Sequence, residues 1–280
     1  MTLAVTGGHG EFGSAVVARV RALTDQPVVA TVREPGRGEP VPGVEYRPGD
    51  FDDPARLTAS LADVETVLVN ATFFGADPAQ RLPRVTAAID AAVAAGVRRI
   101  VLTSWPQPAS MPTVQDYRVL EETVRAAGAK WTIVRMSVGL ADALARDIVW
   151  GRKTGELVAP AAGAVVTPAA LSDLASATAA LLVNPSDDLL ELTGPDRVGW
   201  DQLARLASVP FRAVSDEEYV AYLTGTFQLP EPAARQLTAL YADFRGTWAS
   251  TPTSTLTDLL DDQVTSGLDA VRRRVDRFPA

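Results

Sequence analysis

Thr6-Gly7-Gly8-His9-Gly10-Glu11-Phe12-Gly13 joins a short apolar run, Leu3–Thr6, to a stretch of helical periodicity, Glu11–Leu23. A glycine-rich turn between a strand and a helix lets the backbone bend sharply and approach a ligand closely. The first N–H groups of the helix and its dipole favour an anion there. Gly8-x-Gly10-x-x-Gly13 has the spacing of the dinucleotide fingerprint, and Gly7-x-x-Gly10-x-x-Gly13 fits a wider variant of it. All eight residues of the loop are therefore candidates for holding a dinucleotide diphosphate, with Gly13 placed for close helix–strand packing. Glu11 suits the dipole but would repel a diphosphate if it pointed inward. His9 is the only histidine, and it reads as a loop side chain near solvent or phosphate rather than as a base. A tight turn without any ligand would carry the same spacing.

Outward from this loop the chain alternates two kinds of segment. Residues 3–6, 27–33, 66–70, 98–103 and 131–135 carry short β-branched runs and read as strands, and residues 44–48 can form a further short one. Residues 11–23, 54–61, 83–95 and 114–127 read as helices, the last two stopped by Gly96 and Gly128. The alternation predicts an α/β fold, a doubly wound parallel Rossmann sheet. After Arg135 the rhythm changes: helices are expected at 171–182, 200–206, 216–223, 232–244 and 263–275, with a strand at 189–193. The expected division is a nucleotide-binding domain over residues 1–150 and a smaller α/β substrate lobe over 151–280, some of whose elements can rejoin the sheet. The Gly- and Pro-rich stretch 34–42 is the expected flexible loop of the first half.

The second strand decides between cofactors. Proteins that bind NAD through this fold place Asp or Glu near its end, on the ribose 2′-hydroxyl. Here Val28-Val29-Ala30-Thr31-Val32 ends in Arg33, and no acid precedes it in the strand. An arginine there can make charge-assisted bonds to a 2′-phosphate, so NADP(H) is expected ahead of NAD(H), although Glu34 carries the opposite charge. Next comes Gly49-Asp50-Phe51-Asp52, in which Asp50 can accept from an adenine amino group and Phe51 can lie beside the ring. The same acids also suit an N-cap before Pro54. Asn70, Ala71 and Thr72 fall at the C-terminal end of the fourth strand, where such sheets bind ligands, and small residues there suit approach to the nicotinamide ribose.

Composition narrows the field. The chain has 280 residues, enough to bury a large core without staples. It contains no cysteine, which rules out disulfides, thiolate nucleophiles and cysteine metal sites. A net charge of −8 argues against a nucleic-acid partner. No basic segment leads into an apolar run at the start, and no uncharged stretch is long enough to span a bilayer, so the cytoplasm is the expected compartment, without a membrane partner. With one histidine and scattered carboxylates, no metal site is expected. The sequence is compatible with a homodimer.

Together these residues resemble the NmrA-like branch of the atypical short-chain dehydrogenase/reductase superfamily. The pattern T-G-A-x-G-x-x-G, an arginine after the second strand and G-D-x-x-D/N-P are matched by residues 6–13, Arg33 and residues 49–54. The likeness continues through Ala95-Gly96-Val97-Arg98-Arg99-Ile100-Val101, through Thr103-Ser104, which join the cofactor-binding candidates, and through residues 131–135. Leu192-Thr193-Gly194-Pro195 resembles a marker of the quinone-reductase-like members. The resemblance implies an extended Rossmann domain with a small C-terminal lobe, NADP(H) binding and, often, reduction of quinones, azo dyes or related acceptors. The chain departs from the family's R-P-x-x-x-x-x-N after the sixth strand, since Arg135-Met136-Ser137 continues to Asp142 without the Pro or the Asn.

Many members of the superfamily use Tyr-x-x-x-Lys, the lysine lowering the tyrosine pKa. The matching residues are Tyr117 and Glu121. A carboxylate opposes tyrosinate formation, so a tyrosinate base is not expected, while a neutral Tyr117 remains the one candidate catalytic side chain, as proton donor or orienting group. An ordinary amphipathic helix face would explain the same residues. Hydride transfer to a quinone needs no dedicated protein base, because the cofactor carries the chemistry. Phe73, Phe74 and Trp105, with Met136 and Ser137, are the expected walls of the pocket for a flat, aromatic or quinone-like small molecule. The expected function is an NADPH-dependent reductase of a quinone, dye or carbonyl-type acceptor. The alternatives are a non-catalytic NADP(H) sensor and a redox-neutral biosynthetic enzyme.

Overall fold

A computed structural model of the chain describes residues 1–71, 78–106, 114–136, 138–261 and 263–278. Strands β1 (Leu3–Thr6), β2 (Val28–Val32) and β4 (Thr66–Val69) are buried at every residue. Strands with no polar face belong in a parallel sheet covered by helices on both sides. That is where they lie: with β3 (Val44–Pro48), β5 (Arg99–Ser104), β6 (Lys130–Met136) and β9 (Leu189–Leu192) they form one seven-stranded sheet in the order β3-β2-β1-β4-β5-β6-β9. Every neighbouring pair in it is parallel. The chain is an α/β Rossmann-like protein. The strand order reverses between β1 and β4, and such folds bind ligands in the crevice at that point. The edge strand β3 is only partly buried and ends in Pro48, whose missing N–H is harmless at an edge.

Four helices connect these strands: α1 (Glu11–Leu23), α2 (Pro54–Ser60), α3 (Pro78–Ala94) and α4 (Gln115–Ala126). Asp53 caps α2, its carboxylate accepting from the Arg56 N–H at 3.1 Å. Helix α3 starts five residues before the expected 83, with Pro83 inside it rather than in its first turn. Helix α5 (Leu140–Thr154) was not expected from the sequence. Its buried residues run almost all round it, and they include Asp147 and Gly151, so no single apolar stripe marks it. The visible signal was the pair of glycines at its ends, Gly139 and Gly155, both with left-handed backbone. The remaining elements are β7 (Leu157–Ala159), β8 (Val165–Val166), α6 (Leu171–Val183), β10 (Val198–Gly199), α7 (Trp200–Ala207), β11 (Phe211–Ala213), α8 (Asp216–Thr226), α9 (Glu231–Phe244), α10 (Thr255–Leu259) and α11 (Gly267–Val275).

The chain divides into two units. The first comprises Met1–Met136, Leu171–Leu192 and Asp258–Asp262, so α6 and β9 join the sheet-bearing unit, α6 lying against α1. The second comprises Ser137–Ala170, Thr193–Thr257 and Gln263–Ala280. It pairs β7 with β11 in parallel and β8 with β10 antiparallel. No helix of the described residues is long and apolar enough to cross a membrane.

The second unit is organised around a buried carboxylate. Asp147 is 4% exposed and accepts from the Tyr241 hydroxyl at 2.6 and 2.7 Å, the Trp200 indole at 2.9 Å and Arg146 at 3.1 Å. The Tyr219 and Tyr241 hydroxyls lie 3.1 Å apart. Burial holds both phenols above the ordinary value of 10.0, and the Asp147 charge raises them further. A raised folded-state pKa contributes stability that is intact below the unfolded value and drains away as pH rises through the folded one. We therefore expect urea stability to fall above about pH 10, the unfolded phenol range. Tyrosinate absorbance from Tyr219 and Tyr241 should appear together with loss of fold. Titration of all five tyrosines near the ordinary value in protein that stays folded would contradict this.

Candidate active site

The glycine loop turns as its sequence requires, for a different reason at each step. Gly7 has φ +68°, which only glycine adopts without strain, and its carbonyl accepts from the Gly10 N–H at 2.9 Å. A Cβ on Gly8 would lie 2.8 Å from that of Ala30, so the loop presses directly on β2. A Cβ on Gly13 would lie 2.2 Å from the Gly7 carbonyl oxygen, so α1 can approach the loop only because Gly13 has no side chain. Gly10 begins α1 without a side-chain cap. The first turn of the helix therefore faces the loop with backbone donors that no capping side chain covers.

Above this turn lies an open cleft of about 910 Å³, lined by the C-terminal ends of β1 to β4. Of the residues named from the sequence, Gly7, Gly8, His9, Gly10, Arg33, Asp50, Phe51 and Asn70 line it. Other named residues stand behind it. Phe12 is buried in the core, and the exposed Glu11 and the buried Gly13 do not line the cleft. Thr6 and Thr103 are fully buried and their hydroxyls accept from the Asn70 and Ala71 N–H groups at 2.9 and 2.7 Å. Ser104 is buried and donates to Glu121 at 2.7 Å. Thr72, Phe73, Phe74 and Ser137 lie outside the described residues. Trp105 is half-buried with its ring 6.4 Å from that of Tyr117, and Met136 is buried in β6.

The structure also brings in residues that the sequence reading passed over. Arg37 lines the same cleft as Arg33, carried back to it by a turn in which the Arg37 N–H bonds to the Glu34 carbonyl at 3.1 Å. Most arginines of this acidic chain are engaged by carboxylates, but among the described residues neither Arg33 nor Arg37 is within ion-pair distance of one. Glu34 and Glu39 border the cleft without consuming either charge. Tyr46 stacks on His9 with ring centres 5.4 Å apart, and its hydroxyl accepts from the Val41 N–H at 3.2 Å, which anchors the far end of the loop. Arg84 reaches from α3 to make two 2.7 Å bonds with Asp52 at the cleft wall. A second arginine four residues after Arg33, inside a loop judged only by its glycines and prolines, was the signal in the sequence.

Tyr117 is 3% exposed, and its hydroxyl donates to the Ala71 carbonyl at 2.7 Å. Burial pushes the phenol well above its ordinary value. The Arg81 guanidinium, 4.5 Å above the ring, opposes that shift and Asp116 adds to it. The cause is thus burial, not the carboxylate of Glu121. That carboxylate is buried too, and it accepts from Arg135 through two 2.8 Å bonds as well as from Ser104. Arg125 adds a longer ion pair at 3.5 Å. The position where a lysine would stand holds a neutralised ion pair.

Comparison with known proteins agrees with this geometry. A family model described as NAD(P)H-binding matches residues 7–185. The NAD(P)H azoreductase of Xenophilus azovorans is 29% identical over 253 residues, 85% of each chain. Quinone oxidoreductase 2 of Escherichia coli (strain K12) is 29% identical over 138 residues, 48% of this chain and 47% of the relative, so that match spans about half of the enzyme. Among solved structures, the Citrobacter sp. triphenylmethane reductase complexed with NADP(H) superposes with a TM-score of 0.86 at 23% identity, covering 98% of this chain and all of that one, a likeness of fold. With its glycine turn, its cleft at the switch point of the sheet and a family match over more than half its length, the chain belongs to the NAD(P)H-binding family.

Proposed function

We propose that this protein is an NADPH-dependent reductase that delivers hydride to a flat acceptor, a quinone or an azo or related dye. The observation that carries the cofactor half is the pair of arginines, Arg33 and Arg37, that line the cleft beside the glycine turn with no ion-pair partner among the described residues. The acceptor class rests on the relatives, which are named for quinone and azo reduction.

The residues present fit a phosphorylated dinucleotide. The loop at Gly7, Gly8 and Gly10 would hold the diphosphate against the start of α1. Arg33 and Arg37 would bind the 2′-phosphate from two sides. Asp50 and Phe51 would face the adenine, and the Arg84–Asp52 pair would hold that wall in place. Asn70, at the exit of β4, would lie toward the ribose and nicotinamide. When bound, NADPH supplies the hydride. The acceptor then takes up a proton as well. Reduction of a quinone under this scheme consumes one NADPH and one proton and yields the hydroquinone.

The engaged hydroxyl of Tyr117 also favours a second reading, a protein that binds NADP(H) without turning it over. Fluorescence titration with NADPH and NADH, followed in the same cuvette by quinones and azo dyes, separates the two. We expect tighter binding of NADPH and oxidation that depends on the acceptor. Tight binding with no oxidation by any acceptor would leave the sensor.

Arg33→Ala is expected to weaken NADPH binding by about 1–3 kcal/mol, the worth of charged hydrogen bonds, while changing NADH binding little. Arg37→Ala should act in the same direction. Equal losses for both cofactors would remove these arginines from the 2′-phosphate.

A further inference from the structure

We propose that Tyr117 is a positioning residue for the cofactor cleft, its hydroxyl joining those of Thr6 and Thr103 to fix the Asn70–Ala71 backbone at the exit of β4. The proposal rests on reading the cleft as the NADP(H) site. It assigns the Tyr117 hydroxyl to holding the site rather than to the chemistry.

Strand β4 ends at Val69, and its registered pairs stop at Val5 with Leu68 on one side and at Val69 with Leu102 on the other. Asn70 and Ala71 have therefore left the ladder, yet they sit at the switch point, where Ala71 is fully buried. Buried peptide groups need partners. Here they come from side chains on three separate elements. The Asn70 N–H donates to Thr6 of β1 at 2.9 Å, and the Ala71 N–H to Thr103 of β5 at 2.7 Å. The Ala71 carbonyl accepts from Tyr117 of α4 at 2.7 Å. Ala71 is thus gripped at both its N–H and its carbonyl.

The phenol is itself locked. Arg81 lies over its ring at 4.5 Å, and Arg81 is held by two bonds to Asp116 at 2.6 and 2.7 Å, both side chains being 6% exposed. Turning the hydroxyl toward an acceptor would break its bond and leave the Ala71 carbonyl buried without it. What the grip delivers is Asn70, whose side chain lines the cleft next to Gly7, with the Asn70 Nδ2 only 3.7 Å from where a Gly7 Cβ would be.

The test compares Tyr117→Phe, Thr103→Val and the double variant with the wild-type protein, measuring NADPH Kd by fluorescence and kcat against pH with one quinone. Each single variant is expected to raise the NADPH Kd about three- to tenfold, the worth of one buried hydrogen bond. The kcat should fall by a smaller factor, and its pH profile should not move. The double variant should lose less than the product of the singles, because both hydroxyls hold one residue. Thr103→Ser keeps the acceptor oxygen and should restore the wild-type Kd, which separates the grip from a folding defect. A fall in kcat of about a hundredfold or more for Tyr117→Phe alone, with a limb of the pH profile lost and Kd unchanged, would make Tyr117 a proton donor and overturn the proposal. Unchanged Kd in both single variants would overturn it as well. If the wild-type chain bound no NADPH, the cofactor reading itself would fall, and that result is distinct because it precedes any variant.

Discussion

Gly13→Ala is expected to abolish NADPH binding and to lower the melting temperature, whereas Gly10→Ala should impair binding alone. The added Cβ at position 13 would sit 2.2 Å from the Gly7 oxygen and 2.9 Å from its carbonyl carbon. Both are backbone atoms, so no side chain can swing aside. Relief requires either moving α1 off the sheet or breaking the bond from the Gly10 N–H to that same oxygen. Forced overpacking of this kind costs about 3 kcal/mol or more, which corresponds to roughly 5–10 °C in a chain of this size. Gly10 differs in both respects. Its φ of −68° is open to any residue, and a Cβ there would meet only the Gly7 oxygen, at 3.3 Å. An alanine at Gly10 therefore leaves the fold standing while narrowing a surface that lines the cleft. Thermal melting and NADPH titration on the two variants measure the two effects apart. Wild-type melting and binding in Gly13→Ala would show that the loop does not take this turn.

The two glycines have the same rank in the sequence motif, and this marks the boundary of what could be read from sequence. The spacing of residues 7–13 placed the turn between β1 and α1 correctly, because strand–turn–helix context is local. The inner strands β1, β2, β4 and β5 were legible for the same reason: almost wholly buried, they are short runs dominated by Val, Ile, Leu and Thr that no helix stripe imitates. Helix α5 was not legible, because its buried face includes Asp147, whose partners Tyr241 and Trp200 lie far along the chain. Direction was the other missing quantity. Thr6 was named for the cofactor as part of the glycine loop and Thr103 through the family resemblance, yet both hydroxyls turn to the Asn70–Ala71 backbone. Tyr46 was invisible as a site residue until the 34–42 loop was folded back over His9, and Arg37 was passed over inside a loop judged only by its glycines and prolines. Gly194 shows the converse. It was noted as part of a family-like marker, and the structure supplies its physics: a Cβ there would lie 2.0 Å from the Pro168 carbonyl oxygen, within the second unit.

The carboxylate at position 121 leads to the second large effect. Arg135→Ala is expected to cost about 3–5 kcal/mol of folding stability, the usual price of stranding one member of a buried ion pair. Glu121 is 1% exposed, and without Arg135 its close partners reduce to Ser104 at 2.7 Å, with Arg125 at 3.5 Å. A half-shielded guanidinium at that longer distance replaces neither of the two 2.8 Å bonds. The double variant Arg135→Met with Glu121→Met should recover most of the loss, because an apolar pair of similar volume removes both charges from the interior. Urea unfolding at neutral pH measures both variants. The contrast matters for function, since Ser104 and Arg135 are the residues just before Trp105 and Met136, at the ends of β5 and β6. If the pair serves only to neutralise Glu121, the double variant should regain stability and acceptor turnover together. If it also sets the exits of the two strands, stability should return while the KM for the quinone stays raised. An Arg135→Ala protein as stable as wild type would mean that Glu121 does not depend on this partner, and the ion pair would then have no part in holding the sheet's edge.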